Sequence, residues 1–321
     1  MRLSRCHIGV GFFIITLSAA LAHGQTGPDL LIKPWDAGQH VDTTTDFLMQ
    51  PSEHTRENAG SVQISTFSSY GRYRVFDDDA TPRFGYDFRD YQIRTDSPLI
   101  PKNLIHGSIG FAQPVGVVND WFVALTGAVG YAGNSPFSDP EAVFAIGNVI
   151  VGHKFNVDRA LVVALNYNGN RAFFPDVPLP GFGYADRATE NLTYVIGLPY
   201  NTITYEPFKG FQIEGGWNLI TSFSAKIAYQ FTKHFAVYGQ YSDRIDPYHI
   251  DNTSNTSRIF FQTHNIEVGF RGNLNKLNRL SIGGGWAFGQ EFAEGWDTRT
   301  LNPILHLRDG PYARIQLEIG F

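Results

Sequence analysis

The sequence predicts an all-β protein, an antiparallel transmembrane β-barrel of about twelve strands, with ten or fourteen as the alternatives. Three observations predict it. The N-terminus is laid out for export, apolar and polar residues alternate with a period of two from about Ser61 onward, and a last alternating segment runs out to Phe321.

Export comes first. Arg2 and Arg5 precede a short apolar run, residues 8–17 (IGVGFFIITL), and small residues follow as Ala19-Ala20-Leu21-Ala22-His23-Gly24. This is the three-part pattern of a secretory signal peptide, so residues 1–24 are expected to be removed after Ala22 or Gly24. The single cysteine, Cys6, falls inside that segment, and Arg5 beside it does not fit a lipid-anchor signal. Thiolate metal sites and disulfides are therefore excluded from the mature chain. The formal charge of -5 becomes about -7 without Arg2 and Arg5, and no basic run occurs, which argues against nucleic acid.

After Gly24 no stretch of 18 apolar residues appears, so a membrane could be crossed only by strands. A sheet in lipid must close on itself, because no water is there to bond the amides of an open edge. Aromatics at 14%, 33 glycines and only 17% charged residues suit short strands joined by turns.

Residues 25–60 are polar, contain Pro28, Pro34 and Pro51, and show no sustained period. They are read as an irregular periplasmic lead-in, with a short helix near Thr45 to Gln50, and the barrel is placed at 61–321. Within it Trp121, Val123, Leu125, Val129 and Tyr131 share one face, and Ala124, Thr126 and Ala128 the other. The period returns in Leu161-Val163-Leu165, Leu192-Tyr194-Ile196, Phe223-Ala225-Ile227, Phe235-Val237-Gly239, Ile266-Val268-Phe270 and Leu280-Ile282-Gly284. The faces opposite are small or polar throughout, as expected of a wall with lipid on one side, although a half-exposed soluble sandwich or propeller alternates too.

Tyr and Trp gather near segment ends, at Trp121, Tyr131, Tyr167, Tyr205, Trp217, Tyr229, Tyr241, Trp286 and Tyr312, which is the expected distribution of interfacial girdles. Connections alternate long and short. Residues 289–311, 243–257 and 170–190 read as long loops, and Thr232-Lys233-His234 and Asn156-Val157-Asp158 as tight turns. This gives ten strands from Trp121 on. Candidates at 61–76, 83–95 and 104–112 would make thirteen, and an even number is required, hence twelve.

The closing segment sets Ala313, Ile315, Leu317, Ile319 and Phe321 on one face against Arg314, Gln316 and Glu318. With Tyr312 at its start and Phe321 at its end it resembles the C-terminal signature of bacterial outer-membrane β-barrel proteins. That resemblance implies location in the bacterial outer membrane and an assembly signal, Tyr312, Ile315, Leu317, Ile319 and Phe321, read by the barrel assembly machinery. Phe84-Gly85-Tyr86-Asp87-Phe88 and Leu198-Pro199-Tyr200-Asn201-Thr202-Ile203-Thr204-Tyr205 are similar to segments of a family of uncharacterised outer-membrane barrel proteins. That family implies fold and location and no catalytic residue.

Little chemistry is written in short motifs. No Gly-x-Ser-x-Gly, phosphate loop or His-Glu-x-x-His spacing occurs, and Gly283-Gly284-Gly285 sits in an alternating strand, where glycine permits bending or close packing. His106, His153, His264 and Ser281 leave a membrane-embedded lipid-modifying enzyme as one alternative, but no spacing forces them together, so the chain is read as a non-enzyme. Asp77-Asp78-Asp79 could ligate calcium but reads more simply as a solvated turn, so no metal or cofactor is expected. Asp243 to Asp251 reads as a mixed external loop.

The functional expectation rests on the inward set Lys226, Gln230, Gln240, Glu267, Arg271, Arg314, Gln316 and Glu318. These residues would line a porin-like lumen and tune the passage of small solutes, or pair across strands and fill it, leaving a structural or adhesive barrel without an open pore. Outer-membrane lipid is the expected partner, and a homo-oligomer is open.

Overall fold

The computed structural model describes Thr26, Leu30, Trp35 and residues 38–57, 60–76, 81–218, 221–250 and 257–321. The expected signal segment and the Asp77 to Asp79 turn lie outside these residues. Seventeen strands are present among the described residues. In chain order they are β1 (Val41–His54), β2 (Ser61–Arg74), β3 (Arg83–Thr95), β4 (Asn103–Val118), β5 (Trp121–Gly133), β6 (Val143–Lys154), β7 (Arg159–Asn168), β8 (Leu179–Thr189) and β9 (Leu192–Leu198). There follow β10 (Tyr200–Phe208), β11 (Phe211–Asn218), β12 (Ser222–Gln230), β13 (Phe235–Tyr248), β14 (Arg258–Asn273), β15 (Arg279–Gly295), β16 (Asn302–His306) and β17 (Gly310–Gly320).

Sixteen of them close a ring in which every neighbour is antiparallel. β17 pairs with β15 on one side and with β1 on the other, in register from Asp42 opposite Gly320 to Met49 opposite Ala313. The Phe321 carbonyl accepts from Val41 N at 2.8 Å, and the Phe321 amide donates to the Val41 carbonyl at 3.2 Å. The short β16 pairs only with the last turns of β15 and lies in the connection to β17. Closure satisfies every edge, and a soluble sandwich or propeller is set aside by it.

The twelve-strand expectation is therefore corrected to sixteen. The helix expected near Thr45 to Gln50 is part of β1, so the barrel begins at Val41 and not at 61. Thr43 and Thr45 hold outer-face positions where an apolar residue would have signalled a strand. All three upstream candidates are strands, β2, β3 and β4. Residues 170–190 are not one loop, because β8 occupies their second half with glycine at Gly181 and Gly183 on its inner face. β9 and β10 pair only from Val195 opposite Thr202 outward, and the reversal between them runs through strand-like residues around Pro199, so no turn cluster marks the hairpin.

The wall is uneven in height. Strands β1–β4 and β13–β15 have 13 to 17 residues, whereas β9–β12 have 7 to 9. Calling the end where β1 starts and β17 stops the near end, the tall strands overshoot at the far end and lean together. Their inner faces, with Phe144 of β6 and Leu305 of β16, make the one large apolar cluster of the described residues, including Val62, Ile64, Ile93 and Leu104. Outside, the wall is apolar: Val268 is 69% exposed, with Ile266, Phe270, Ile282 and Trp286 beside it. Paired rings, Phe208 with Phe211 at 4.9 Å and Phe231 with Phe235 at 6.4 Å, mark the near-end rim. Two of the expected girdle residues do not belong to it. Tyr312 points inward and is buried, and Tyr131 is covered by the loop after β5, donating its hydroxyl to the Ser135 carbonyl.

Candidate functional site: the lumen

Sixteen strands enclose more space than side chains of one wall can fill, so what crosses the interior decides whether anything passes. At the far end side chains of facing walls meet across the interior. Tyr91 of β3 packs edge-on against Tyr248 of β13, ring centroids 6.3 Å apart, and against Phe261 of β14 at 5.2 Å. Phe261 stacks on Phe292 of β15 at 4.7 Å. These strands face each other across the barrel. The contact is therefore a seal, made of rings that lie on the inward alternate positions of their strands.

One step towards the near end the seal becomes polar. Arg89 of β3 donates to Asp246 of β13 at 2.9 Å, and the Tyr91 hydroxyl donates to the same carboxylate at 3.1 Å. Arg244, two residues before Asp246 on the same face, stands 3.9 Å from it. His106 of β4 lies 3.7 Å from Asp87 and stacks on Phe144. Backbone joins the walls as well, since His249 N donates to the Ala132 carbonyl at 2.9 Å. The segment 243–251, expected as an external loop, is thus strand β13 as far as Tyr248, with Arg244 and Asp246 pointing inward and Asp243 on the outer face opposite His264. Four buried polar atoms around this chord lack a partner: Asp87 Oδ1, His106 Nδ1, Thr263 Oγ1 and the Tyr248 hydroxyl. Unsatisfied polar atoms inside an otherwise paired cluster make it the weakest layer of the seal.

Loops cap the far end. Arg258, 1% exposed, donates to the Trp296 carbonyl at 2.9 Å, to Asn170 Oδ1 at 3.3 Å and to the Arg171 carbonyl at 3.1 Å. It ties the loop after β7 to the loop after β15. In the latter, Arg299 holds Asp297 through Nε at 2.9 Å, and that hydrogen bond holds the Asp297 carboxyl below the usual carboxylate range.

Midway along the barrel the inner wall carries a chain of ion pairs over a glycine floor. Arg314 of β17 donates to Asp46 of β1 at 2.8 Å and lies 3.5 Å from Glu267 of β14, which accepts from the Tyr238 hydroxyl at 2.7 Å. Glu267 and Arg314 are two strands apart, and glycine on β15 between them lets them meet. A Cβ on Gly283 would stand 2.7 Å from Glu267 Oε1, and one on Gly285 would stand 2.6 Å from the Tyr312 ring. The close-packing reading of Gly283-Gly284-Gly285 describes what these glycines do here.

At the near end the chain's own leading residues lie inside. Thr26 Oγ1 and Ser108 Oγ of β4 are 3.0 Å apart, and Arg83 of β3 donates to the Leu30 carbonyl at 3.1 Å. Trp35 lies under Arg72 of β2, whose guanidinium carbon is 3.9 Å from the ring centroid, while Arg72 Nε donates to Asp42 at 3.0 Å.

The eight residues singled out from the sequence fall on inward positions of β12, β13, β14 and β17, alternating with exposed apolar neighbours. The structure joins only some of them. Glu267 and Arg314 meet, and Glu318 pairs with Arg279 at 3.2 Å. Lys226 lies over the Tyr238 ring at 5.1 Å, and it neighbours Glu214 and Gln240 in register. Gln230, Arg271 and Gln316 stand apart from these pairs. Sequence reasoning missed Arg89, Tyr91, Asp246 and Tyr248, which no spacing brings together.

The histidines and serine of the enzyme alternative do not converge. His264 is on the outer face, 3.0 Å from the Tyr241 hydroxyl, His153 stacks with Trp121, and Ser281 is inward. Among the described residues no group of three His, Cys, Asp or Glu side chains could hold a metal ion.

Wall and lumen together define a closed antiparallel β-barrel with an apolar outer belt and a charged interior. No protein-family model and no curated protein matches the chain. Among solved structures it is similar to the Pseudomonas putida toluene transporter TodX, at 8% identity over 95% of this chain and 94% of that one, with a TM-score of 0.40. A TodX deltaS2S3 mutant, titled a monoaromatic hydrocarbon channel, shares 10% over 88% and 91%, TM-score 0.42. The translocator domain of the autotransporter NalP from Neisseria meningitidis shares 9% over 88% and 89%, TM-score 0.32. At such identities and scores nothing of their activities passes to this chain.

Proposed function

We propose that the protein spans the outer membrane of a bacterial cell as a channel for small solutes, held shut at its outer mouth in the conformation described. The apolar belt supports the membrane placement, and the charged interior supports a path for solutes. In this reading the far end faces the outside, and the strand running to Phe321 is the segment that the barrel assembly machinery engages.

The chord from Arg89 to Asp246 beneath the Tyr91–Phe261 contact carries the proposal. The chord is made of side chains, so it can part without unzipping a barrel strand pair, and the His249–Ala132 backbone bond is the one further tie described beside it. Single-channel recording in planar bilayers tests it. The wild type is expected to stay mostly silent, with R89A/D246A opening far more often. Wild-type and variant traces that are equally silent would favour a second reading, a structural barrel without an open pore, which the contact of facing walls at the far end also supports.

A further inference from the structure

We infer that the inner wall formed by β12, β13 and β14 carries a binding site for a small oxyanion, a carboxylate or a phosphate, held between Lys226 and Arg271. This rests on the reading of the lumen as a solute path and adds the class of solute.

Other inward arginines are compensated: Arg83 and Arg258 by carbonyl or amide oxygens, and four more by carboxylates. Arg72 is matched to Asp42, Arg89 to Asp246, Arg279 to Glu318, and Arg314 to Asp46 and Glu267. A charge set against a wall with lipid behind it is costly unless compensated, and at these four positions the chain supplies the carboxylate. Lys226 and Arg271 depart from this rule. Among the described residues neither has a carboxylate within ion-pair distance or a hydrogen-bond partner, and β13 alone separates them, with Lys226 opposite Gln240 and Arg271 opposite the small Ala236. Glu214, the register partner of Lys226, and Glu318, already paired with Arg279, are the carboxylates within electrostatic reach, so the patch holds three cations (Lys226, Arg271 and Arg279) against two anions.

The donors around them are also uncommitted. Gln240 is the register neighbour of Lys226 on β13, and Gln230 lies four residues on from Lys226 along the same face of β12. Ammonium, guanidinium and amide donors on adjoining strands suit an oxyanion, which accepts several charge-assisted hydrogen bonds at once. Location fits entry from the near mouth, because Arg271 is two residues from the end of β14 and Gln230 is the last residue of β12. The described contacts of Thr26, Leu30 and Trp35 are with β4, β3 and β2, on another part of the wall. The whole chain is acidic at -5, so attraction of an anion here is local to this patch.

Isothermal titration of the full mature chain in detergent, with citrate in one arm and inorganic phosphate in the other, tests the site. Saturable binding of at least one probe is expected, weaker at high salt, with K226Q and R271Q each losing about tenfold, as for one charge-assisted contact removed. K226R should retain binding, and K209Q, which removes the same charge from the turn after β10, should leave it unchanged. Heat-modifiable gel migration confirms that each variant is folded. No saturable heat with either probe, or equal affinity in K226Q, R271Q and wild type, would overturn the inference. Titration needs no open pore, so the two proposals fail separately: binding with silent bilayers sinks only the channel, and conducting R89A/D246A without binding sinks only the site.

Discussion

Arg314 on the last strand donates to Asp46 on the first at 2.8 Å, across the seam where the barrel closes. The same guanidinium faces Glu267, which is 2% exposed, so one arginine compensates two carboxylates on opposite sides of β17.

Arg314→Ala should therefore cost more than Asp46→Ala, because it leaves a nearly buried carboxylate without a counter-charge. A loss of about 3 kcal/mol is the expected scale for breaking such a pair, with coupling of about 1 kcal/mol or more between the two substitutions. The midpoint of heat-modifiable migration for both single variants and the double variant measures this. Additive shifts of equal size would mean that the seam pair does not contribute as described.

The three consecutive glycines of β15 should differ sharply in tolerance. Gly284 faces outward with its nearest neighbour 3.6 Å from a new Cβ, whereas a Cβ on Gly285 would stand 2.2 Å from the Ile266 carbonyl oxygen. Gly285→Ala is expected to lower the unfolding midpoint or block assembly, and Gly284→Ala to leave both unchanged. Folded yield in isolated membranes reads the difference.

Much of this architecture was legible in the alternation, because lipid and lumen impose opposite demands on successive side chains. Val268 and Glu267 announce their faces by chemistry alone. What stayed hidden lies where that contrast fades. Thr43 and Thr45 place hydroxyls on the outer face of β1, and Gly181 and Gly183 leave the inner face of β8 blank. The seal was out of reach for another reason. Tyr91 and Phe261 meet from facing walls at the far end, and a sequence period reports the face of a residue but not what stands opposite it across the lumen.

The same two faces make a test of membrane placement. Val268→Arg puts a cation on the outer belt and should destabilise the inserted barrel by about 2–4 kcal/mol, as for arginine at the bilayer midplane. Gln240→Arg, on the inner face one strand away, should cost far less. Urea unfolding in vesicles of phosphatidylcholine gives both values, and equal costs would argue against lipid on the outer side.

Asp297 gives the cap a pH dependence of known sign. Its carboxyl titrates below the ordinary value because Arg299 bonds the charged form. A group with a depressed folded pKa stabilises above its unfolded pKa of about 4 and loses that contribution as pH falls through the folded value. Limited proteolysis of the 296–301 loop should thus accelerate in acid below about pH 4, and Asp297→Asn should show the fast rate at neutral pH. A rate independent of pH in the wild type would remove the pair from the account.

The most direct measurement asks whether opposite walls touch. In Y91C/F261C the two positions, whose rings now lie 5.2 Å apart, should be joined in membrane-inserted protein by a short thiol-specific bridging reagent, giving a faster band on a denaturing gel. Joining would place β3 against β14 across the lumen as described. Failure to join, with both cysteines instead taking up a bulky maleimide from outside, would show an open mouth and contradict the seal on which the proposed channel depends.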